Sequence, residues 1–193
     1  GAPEILLAAC PEKDRFLPQA EEWSAKGCRV LLLALYDGKL DDEALTAEMM
    51  PLALILLSNK IRPEAPQTFA YFAQQGVRTK VISGDNPLTV SEGARRAGIP
   101  DAEKFVDARR LKTDAELAKS AEEMTVFGRV TPDQKNKLVA AMKRAGHTVA
   151  MTGDGVNDVL ALREADRSLA IAPRAGGAGQ ASPLVPSAPQ CSA

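Results

Sequence analysis

The sequence has 193 residues, of which 45% are hydrophobic, so it can bury one sizeable core or two small ones. Its 24 Lys and Arg residues and 25 Asp and Glu residues leave a formal charge of −1, which excludes a global basic field for nucleic acid or an anionic membrane. The longest apolar run, Met49 to Leu57, is too short to cross a bilayer, which needs about 20 residues, and the three cysteines lack metal-ligand spacing. We therefore expect a soluble chain from a reducing compartment.

The first 57 residues predict one helix and two strands. Residues 13–26 have helical apolar spacing, although Pro18 should kink or shorten the helix. Residues 28–38 predict a strand that ends in an Asp-Gly turn. Residues 49–57 predict a second strand, and their continuous apolar character indicates that both of its faces are covered.

From Arg62 onwards, helices and strands alternate. Helices are predicted at 63–75, 87–97, 111–123, 132–145 and 156–164, and strands at 77–82, 125–127, 148–151 and 168–171. This alternation predicts an α/β fold with a Rossmann-like, mostly parallel sheet that binds ligands at the carboxyl ends of its strands. Residues 173–193 are rich in Pro, Gly, Ser and Ala without periodicity, which predicts a disordered tail.

The stretch 151–166, MTGDGVNDVLALREAD, places two carboxylates and an amide on one short loop after a predicted strand. A helix beginning near Val156 brings Asn157 and Asp158 beside Asp154, close to backbone N–H groups that favour anions. Oxygen ligands of this kind suit Mg²⁺. A capped turn would explain Asp154 or Asn157 singly, but it does not require both acids and both glycines.

The loop Ser83-Gly84-Asp85-Asn86-Pro87 follows the predicted strand 77–82 in the same way. Asn86 is the expected N-cap and Pro87 the first residue of the next helix. Alone, this pattern is weak evidence for a ligand site, and a plain capped turn explains it better. Together with the loop around Asp154, it predicts a second phosphate-binding loop.

Lys135 lies in the first turn of the helix predicted after Thr131, where the helix dipole disfavours a cation. An anionic ligand would explain it, although for Lys135 taken alone a solvated surface position is the better explanation. The three elements together favour phosphoryl transfer. No credible nucleophile accompanies them, because Asp85 qualifies only by position, and His147 is interpreted as structural.

Several ordered motifs resemble those of P-type cation-transporting ATPases, whose phosphorylation domain belongs to the haloacid dehalogenase superfamily. The resemblance covers residues 1 to about 172. Residues 151–166 resemble the hinge motif of these pumps. The other matching stretches are GAPE at 1–4 (the end of K-G-A-P-E), GCRVLLLA at 27–34, NKIR at 59–62 (D-x-x-R), SGD at 83–85 (T-G-D) and GRVTPDQKNKLV at 128–139.

The resemblance implies a role for each matching residue. Asp154 would ligate Mg²⁺, Asn157 and Asp158 would order the phosphate site, and Lys135 would contact the phosphoryl group. The residues implied in ATP binding are Ser83, Gly84, Asp85 and Arg129, with Arg29 reaching from the nucleotide domain and Arg62 at the hinge. Residues 1–48 would be the C-terminal part of a nucleotide-binding domain, and residues 49–172 a partial phosphorylation domain.

The departures from the family concern the nucleophile. The D-K-T-G-T motif, whose Asp becomes phosphorylated, is absent from this sequence, and Asn59 replaces the Asp of D-x-x-R. In this superfamily the nucleophile strand is central, so its absence would leave strands 77–82 and 148–151 with facing, unpaired edges. We expect the chain to fold poorly unless those strands close the gap. Val159-Leu160, in place of the common Ala-Pro, resembles a bacterial subgroup in which calcium transport is suspected.

The expected function is that of a cytoplasmic catalytic fragment of an ATP-driven cation pump. ATP and Mg²⁺ are its expected ligands, and its partners are the remaining domains of the same pump on the cytoplasmic face of the membrane. The cation would be reached only through the membrane domain, and the fragment alone would be inactive. Two alternatives are a soluble haloacid-dehalogenase-type phosphohydrolase that uses the same Mg²⁺ loop, and a nucleotide-binding pseudo-enzyme.

Overall fold

The computed structural model describes residues 1–10, 12–38, 49–58, 60–153 and 156–170. The described helices are α1 (Pro3–Leu6), α2 (Lys13–Ala25), α3 (Ala65–Gln74), α4 (Pro87–Arg96), α5 (Asp114–Glu123), α6 (Pro132–Arg144) and α7 (Val159–Glu164). The described strands are β1 (Arg29–Tyr36), β2 (Met49–Leu57), β3 (Val81–Ile82), β4 (Phe105–Asp107), β5 (Val126–Gly128), β6 (Ala150–Gly153) and β7 (Arg167–Ala170). Three short 3₁₀ turns cover Leu7–Ala9, Ala108–Arg110 and Val156–Asp158.

The N-terminal part is an antiparallel pair of β1 and β2 packed against α1 and α2. Its small core contains Leu7, Cys10, Leu32 and Met49. Pro18 does not shorten α2, which continues to Ala25. The prediction that both faces of residues 49–57 are covered is wrong. The outer face of the pair carries large apolar side chains that are about half exposed, namely Leu33, Leu35, Met50 and Leu52.

The second part confirms the predicted α/β fold with parallel strands. β5 lies between β3 and β4, and both of its neighbours run parallel to it. Phe127 on β5 is fully buried and packs with Leu138 and Val139 of α6 in the largest core cluster. β4, at Phe105–Asp107, was not predicted. Of the predicted strand 77–82, only the last two residues pair.

β6 and β7 form a separate parallel pair, and β6 is not hydrogen-bonded to β3. The segment before and within β3 and residues 147–151 both contribute to the wall of a cavity of about 480 Å³, together with Val139 and Met142 of α6. Arg78 and His147, which precede the two strands, meet at the base, where Nη2 and Nε2 are 3.1 Å apart. The starts of the two strands therefore lie near each other. Among the described residues, no strand pairs with both β3 and β6, and the expectation of poor folding stays a prediction.

The end of β5 lies against the start of α4, and this contact requires a glycine. A Cβ on Gly128 would stand 2.5 Å from Cα and N of Pro87. The approach places the N-cap of α4 directly beside the end of β5. The loop before α4 and the segment after β5 are thereby brought to the same edge of the sheet.

We predict that Gly128→Ala lowers the free energy of unfolding by about 1–3 kcal/mol, because the new methyl group overlaps backbone atoms that cannot rotate away. Gly93→Ala is the matched control, since nothing lies within 4 Å of its Cβ position inside α4. The control should raise stability by about 0.5–1 kcal/mol through helix propensity. Urea unfolding measures both, and equal effects would contradict the packing argument.

Candidate functional site

Backbone hydrogen bonds bring the ends of β3 and β5 together. The Ser83 amide donates to the Phe127 carbonyl at 2.9 Å, and the Val130 amide donates to the Ser83 carbonyl at 3.0 Å. One step further, the Arg129 amide donates to the Asp85 carbonyl at 2.9 Å. Two of the segments singled out in the sequence are therefore in direct contact.

The loop after β3 is the predicted capped turn. Asn86 Oδ1 accepts a hydrogen bond from the Leu88 amide at 2.9 Å, and Pro87 begins α4. Ser83 Oγ accepts from the Asp85 amide at 3.1 Å, so the hydroxyl is turned toward its own loop. Gly84 is exposed, and a Cβ there would lie 3.9 Å from the nearest atom, the Val130 carbonyl oxygen. Packing therefore does not require this glycine.

Arg129 is the most constrained residue of the site. Its φ of +55° lies in the left-handed region, which is strained for a residue with a Cβ. Its guanidinium is mostly buried and pairs through Nη2 with Glu4 Oε1, whereas its buried Nε has no hydrogen-bond partner among the described residues. Desolvation by burial lowers the pKa of Arg129. A buried, incompletely bonded guanidinium in a strained backbone is typical of a functional position.

A cavity of about 340 Å³ connects Arg129 with the N-terminal part of the molecule. Arg29 on β1 reaches toward Asp85 across it, with Nε 3.4 Å from Oδ1. Both of these side chains are substantially exposed, so the pair is weak and easily rearranged. The other charged side chains that line the cavity are Glu4, Glu21, Arg109 and Arg129.

A second charged pair lies at the end of β6. Lys135 Nζ stands 2.6 Å from Asp158 Oδ1, and these side chains are only 14% and 10% exposed. Lys135 is in the first turn of α6, so the helix dipole that disfavours it there is offset by a buried carboxylate. Gly153 makes the approach possible, because a Cβ would lie 2.7 Å from Cβ of Asp158.

The sequence-predicted residues therefore fall into two groups joined by the short segment 129–135. One group is Asp85, Arg129 and Arg29, and the other is the Lys135–Asp158 pair. Asn157 is exposed in the turn before α7. Arg62 is also exposed, between β2 and α3, and does not line the cavity.

The predicted metal ligand, Asp154, and the hinge substitution, Asn59, lie outside the described residues. Within the described ranges, no group of three or more His, Cys, Asp or Glu side chains could hold a metal ion. The assignment of Mg²⁺ to Asp154 therefore stays a prediction.

Sequence reasoning missed two residues of the cavity, Glu4 and Arg109. Glu4 was part of the quoted GAPE stretch, but nothing in the sequence pointed to its pairing with Arg129, which lies 125 positions away. Arg109 is held by Asp107, with Nη2 2.6 Å from Oδ2, and that hydrogen bond lowers the pKa of Asp107. No sequence signal distinguishes it from an ordinary surface arginine.

Comparison with known proteins gives the family. A model of haloacid dehalogenase-like hydrolases matches residues 4–166. The chain belongs to this family. None of the helices in the described ranges is long and apolar enough to span a membrane.

The resemblance to P-type cation-transporting ATPases is also confirmed. The chain is 48% identical over 174 residues to a probable cation-transporting ATPase of Streptococcus pneumoniae, a match that covers 89% of this chain and 22% of that protein. It is 48% identical over 172 residues to a calcium-transporting ATPase of Mycobacterium tuberculosis, covering 89% and 21%. A magnesium-transporting P-type ATPase of Salmonella typhimurium is 32% identical over 181 residues, covering 90% and 20%. The chain thus spans about a fifth of the length of these relatives.

We predict that Lys135→Met lowers the free energy of unfolding by about 3 kcal/mol, since it leaves the nearly buried Asp158 carboxylate unpaired. Lys119→Met is the matched control, because Lys119 and Glu123 form an exposed helical pair 3.9 Å apart. The control should change stability by less than about 0.5 kcal/mol. Urea unfolding distinguishes them, and similar values for the two variants would show that the Lys135–Asp158 pair is not a buried interaction.

Proposed function

We propose that the chain is the part of a P-type cation pump that holds ATP and its phosphoryl group. The observation that carries the proposal is the convergence of Arg29, Asp85 and Arg129 on one cavity. Arg29 comes from β1, and the other two follow β3 and β5. Ligands of open parallel sheets bind at this edge. Guanidinium groups that meet from separate elements suit a polyphosphate, because each can donate two hydrogen bonds to it.

The two groups of residues have complementary roles in this proposal. Arg29 and Arg129, with the loop Ser83-Gly84-Asp85, bind the nucleotide. Lys135 faces the transferred phosphoryl group, and Asp158 positions its ammonium through the 2.6 Å contact. Asn157 orders the end of the site that contains Lys135 and Asp158. Arg62, outside the cavity, serves the hinge between residues 1–48 and 49–172, which we propose as separate domains.

The donor chemistry of the loop after β6 fits Mg²⁺. Asp154, Asn157 and Asp158 offer carboxylate and amide oxygens within five positions, the ligand type that this hard cation prefers. Asp154 would hold the ion, because Asp158 already pairs with Lys135. When bound, Mg²⁺ would neutralise charge on the phosphate oxygens.

In a complete pump this region would support ATP- and Mg²⁺-dependent phosphorylation of an aspartate, on the cytoplasmic face of the membrane. The remaining domains of the pump are its proposed partners, and the cation would bind in the membrane domain. We propose that the isolated chain binds nucleotide without hydrolysing it, since the described site holds no aspartate of the phosphorylated motif.

A soluble phosphohydrolase is the second candidate, and the family model supports it, because that model describes hydrolases in general. The extent of the similarity favours the pump, since 89% of this chain aligns with a relative named as a probable cation-transporting ATPase. Release of phosphate from simple phosphate esters by the purified chain would favour the phosphohydrolase. A nucleotide-binding pseudo-enzyme would release none.

Isothermal titration calorimetry with ATP and Mg²⁺ tests the proposed site. Arg129→Gln should weaken ATP binding about 10-fold or more, because a buried charged hydrogen bond to phosphate is lost. The matched control is Arg95→Gln, on the exposed side of α4, where the guanidinium pairs only with Glu92 among the described residues. Asp154→Ala should abolish any effect of Mg²⁺ on the affinity. ATP hydrolysis that persists in Asp154→Ala would contradict the assignment.

A further inference from the structure

The guanidinium that we assign to phosphate is already occupied by a carboxylate of the same chain. Glu4 Oε1 pairs with Nη2 of Arg129, and these side chains are 24% and 19% exposed. The pair lies in the wall of the cavity that the nucleotide would enter. A carboxylate on an arginine occupies the same donor positions that a phosphate oxygen would use.

The fold holds Glu4 at this place. Pro3 begins α1, and the Leu32 amide donates to the Gly1 carbonyl at 2.9 Å, which ties the segment before α1 to β1. Leu7, just after the helix, is fully buried in the N-terminal core. Glu4 therefore reaches Arg129 from a packed segment rather than from a surface loop.

The cavity is close to electrical balance in this arrangement. Its wall carries the guanidinium groups of Arg29, Arg109 and Arg129 and the carboxylates of Glu4, Glu21 and Asp85. An entering polyphosphate meets three carboxylates as well as three cations. Of these three carboxylates, Glu4 is the one paired with Arg129, which is the least exposed of the three cations, so Glu4 blocks that cation directly.

We propose that Glu4 is an internal competitor for the phosphate group of the nucleotide. This inference rests on the proposed nucleotide site. The ligand must displace Glu4 from Arg129, so its affinity is set by an exchange of one anion for another and not by simple filling of the cavity. The Arg129–Glu4 pair is thus an autoinhibitory contact between the N-terminal part and the β5 end of the α/β part.

The test compares ATP binding to the whole chain and to Glu4→Gln by calorimetry, at one ionic strength. Glutamine keeps the size of the side chain and removes its charge, so the affinity should rise about 5-fold or more, the range expected of a coupling between sites. Glu21→Gln is the matched control, since it changes the charge of the same cavity equally. It should alter the affinity by less than about 2-fold, because Glu21 has no ion pair with Arg129.

Each outcome decides the proposal. An increase in ATP affinity that occurs in Glu4→Gln and not in Glu21→Gln supports the proposal. Equal increases in both variants would show that Glu4 acts only through the total charge of the cavity, and they would overturn the proposal. An affinity that stays the same or falls in Glu4→Gln, while the unaltered chain binds ATP, also overturns it without touching the nucleotide site. Absence of binding in all the proteins would reject the nucleotide site and the competitor together. If circular dichroism shows that Glu4→Gln is unfolded, Glu4→Asp replaces it, and its shorter carboxylate should also raise the affinity.

Discussion

The backbone hydrogen bonds between the ends of β3 and β5 are the constraint on which the candidate site depends. They hold Ser83 against Phe127 and Val130, and Asp85 against Arg129. Because Gly128 lets α4 approach the end of β5, the capped turn and the segment after β5 share one edge of the sheet. The first turn of α6 then carries Lys135 to the Asp158 carboxylate beside the end of β6. The segment 129–135 thereby links the Arg129 group of residues to the Lys135–Asp158 pair.

The cationic side chains of the site form ion pairs with carboxylates of the same chain. Lys135 with Asp158 and Arg129 with Glu4 are mostly buried, whereas Arg29 with Asp85 is largely exposed. A buried ion pair contributes little net stability, because desolvation offsets the attraction between its charges. Such pairs keep cations in a low-dielectric position where a phosphate would interact strongly with them. The same pairing implies that ligand binding includes a rearrangement of the protein's own carboxylates, with the exposed Arg29–Asp85 contact the easiest to change.

The sequence predicted the regular part of this arrangement well, since the parallel strands, the Asn86 cap and the start of α6 at Pro132 follow from periodicity and turn chemistry. It could not predict Glu4 as the partner of Arg129, because nothing local links positions 125 apart. The prediction that both faces of residues 49–57 are buried was wrong for a related reason. An unbroken apolar run predicts a strand, but only tertiary contacts decide whether each of its faces is covered. The gap between β3 and β6 followed from the family resemblance and not from any pattern in the residues.

A phosphorylated ligand should bind near the ends of β3, β5 and β6. Amide chemical-shift changes in the ¹⁵N-labelled chain, followed by NMR during titration with ATP and Mg²⁺, locate this binding residue by residue. We expect the largest saturable changes at residues 83–86, 129–135 and 156–158. Changes confined to the cavity between residues 76–82 and 147–151, or to the outer face of β1 and β2, would contradict this expectation.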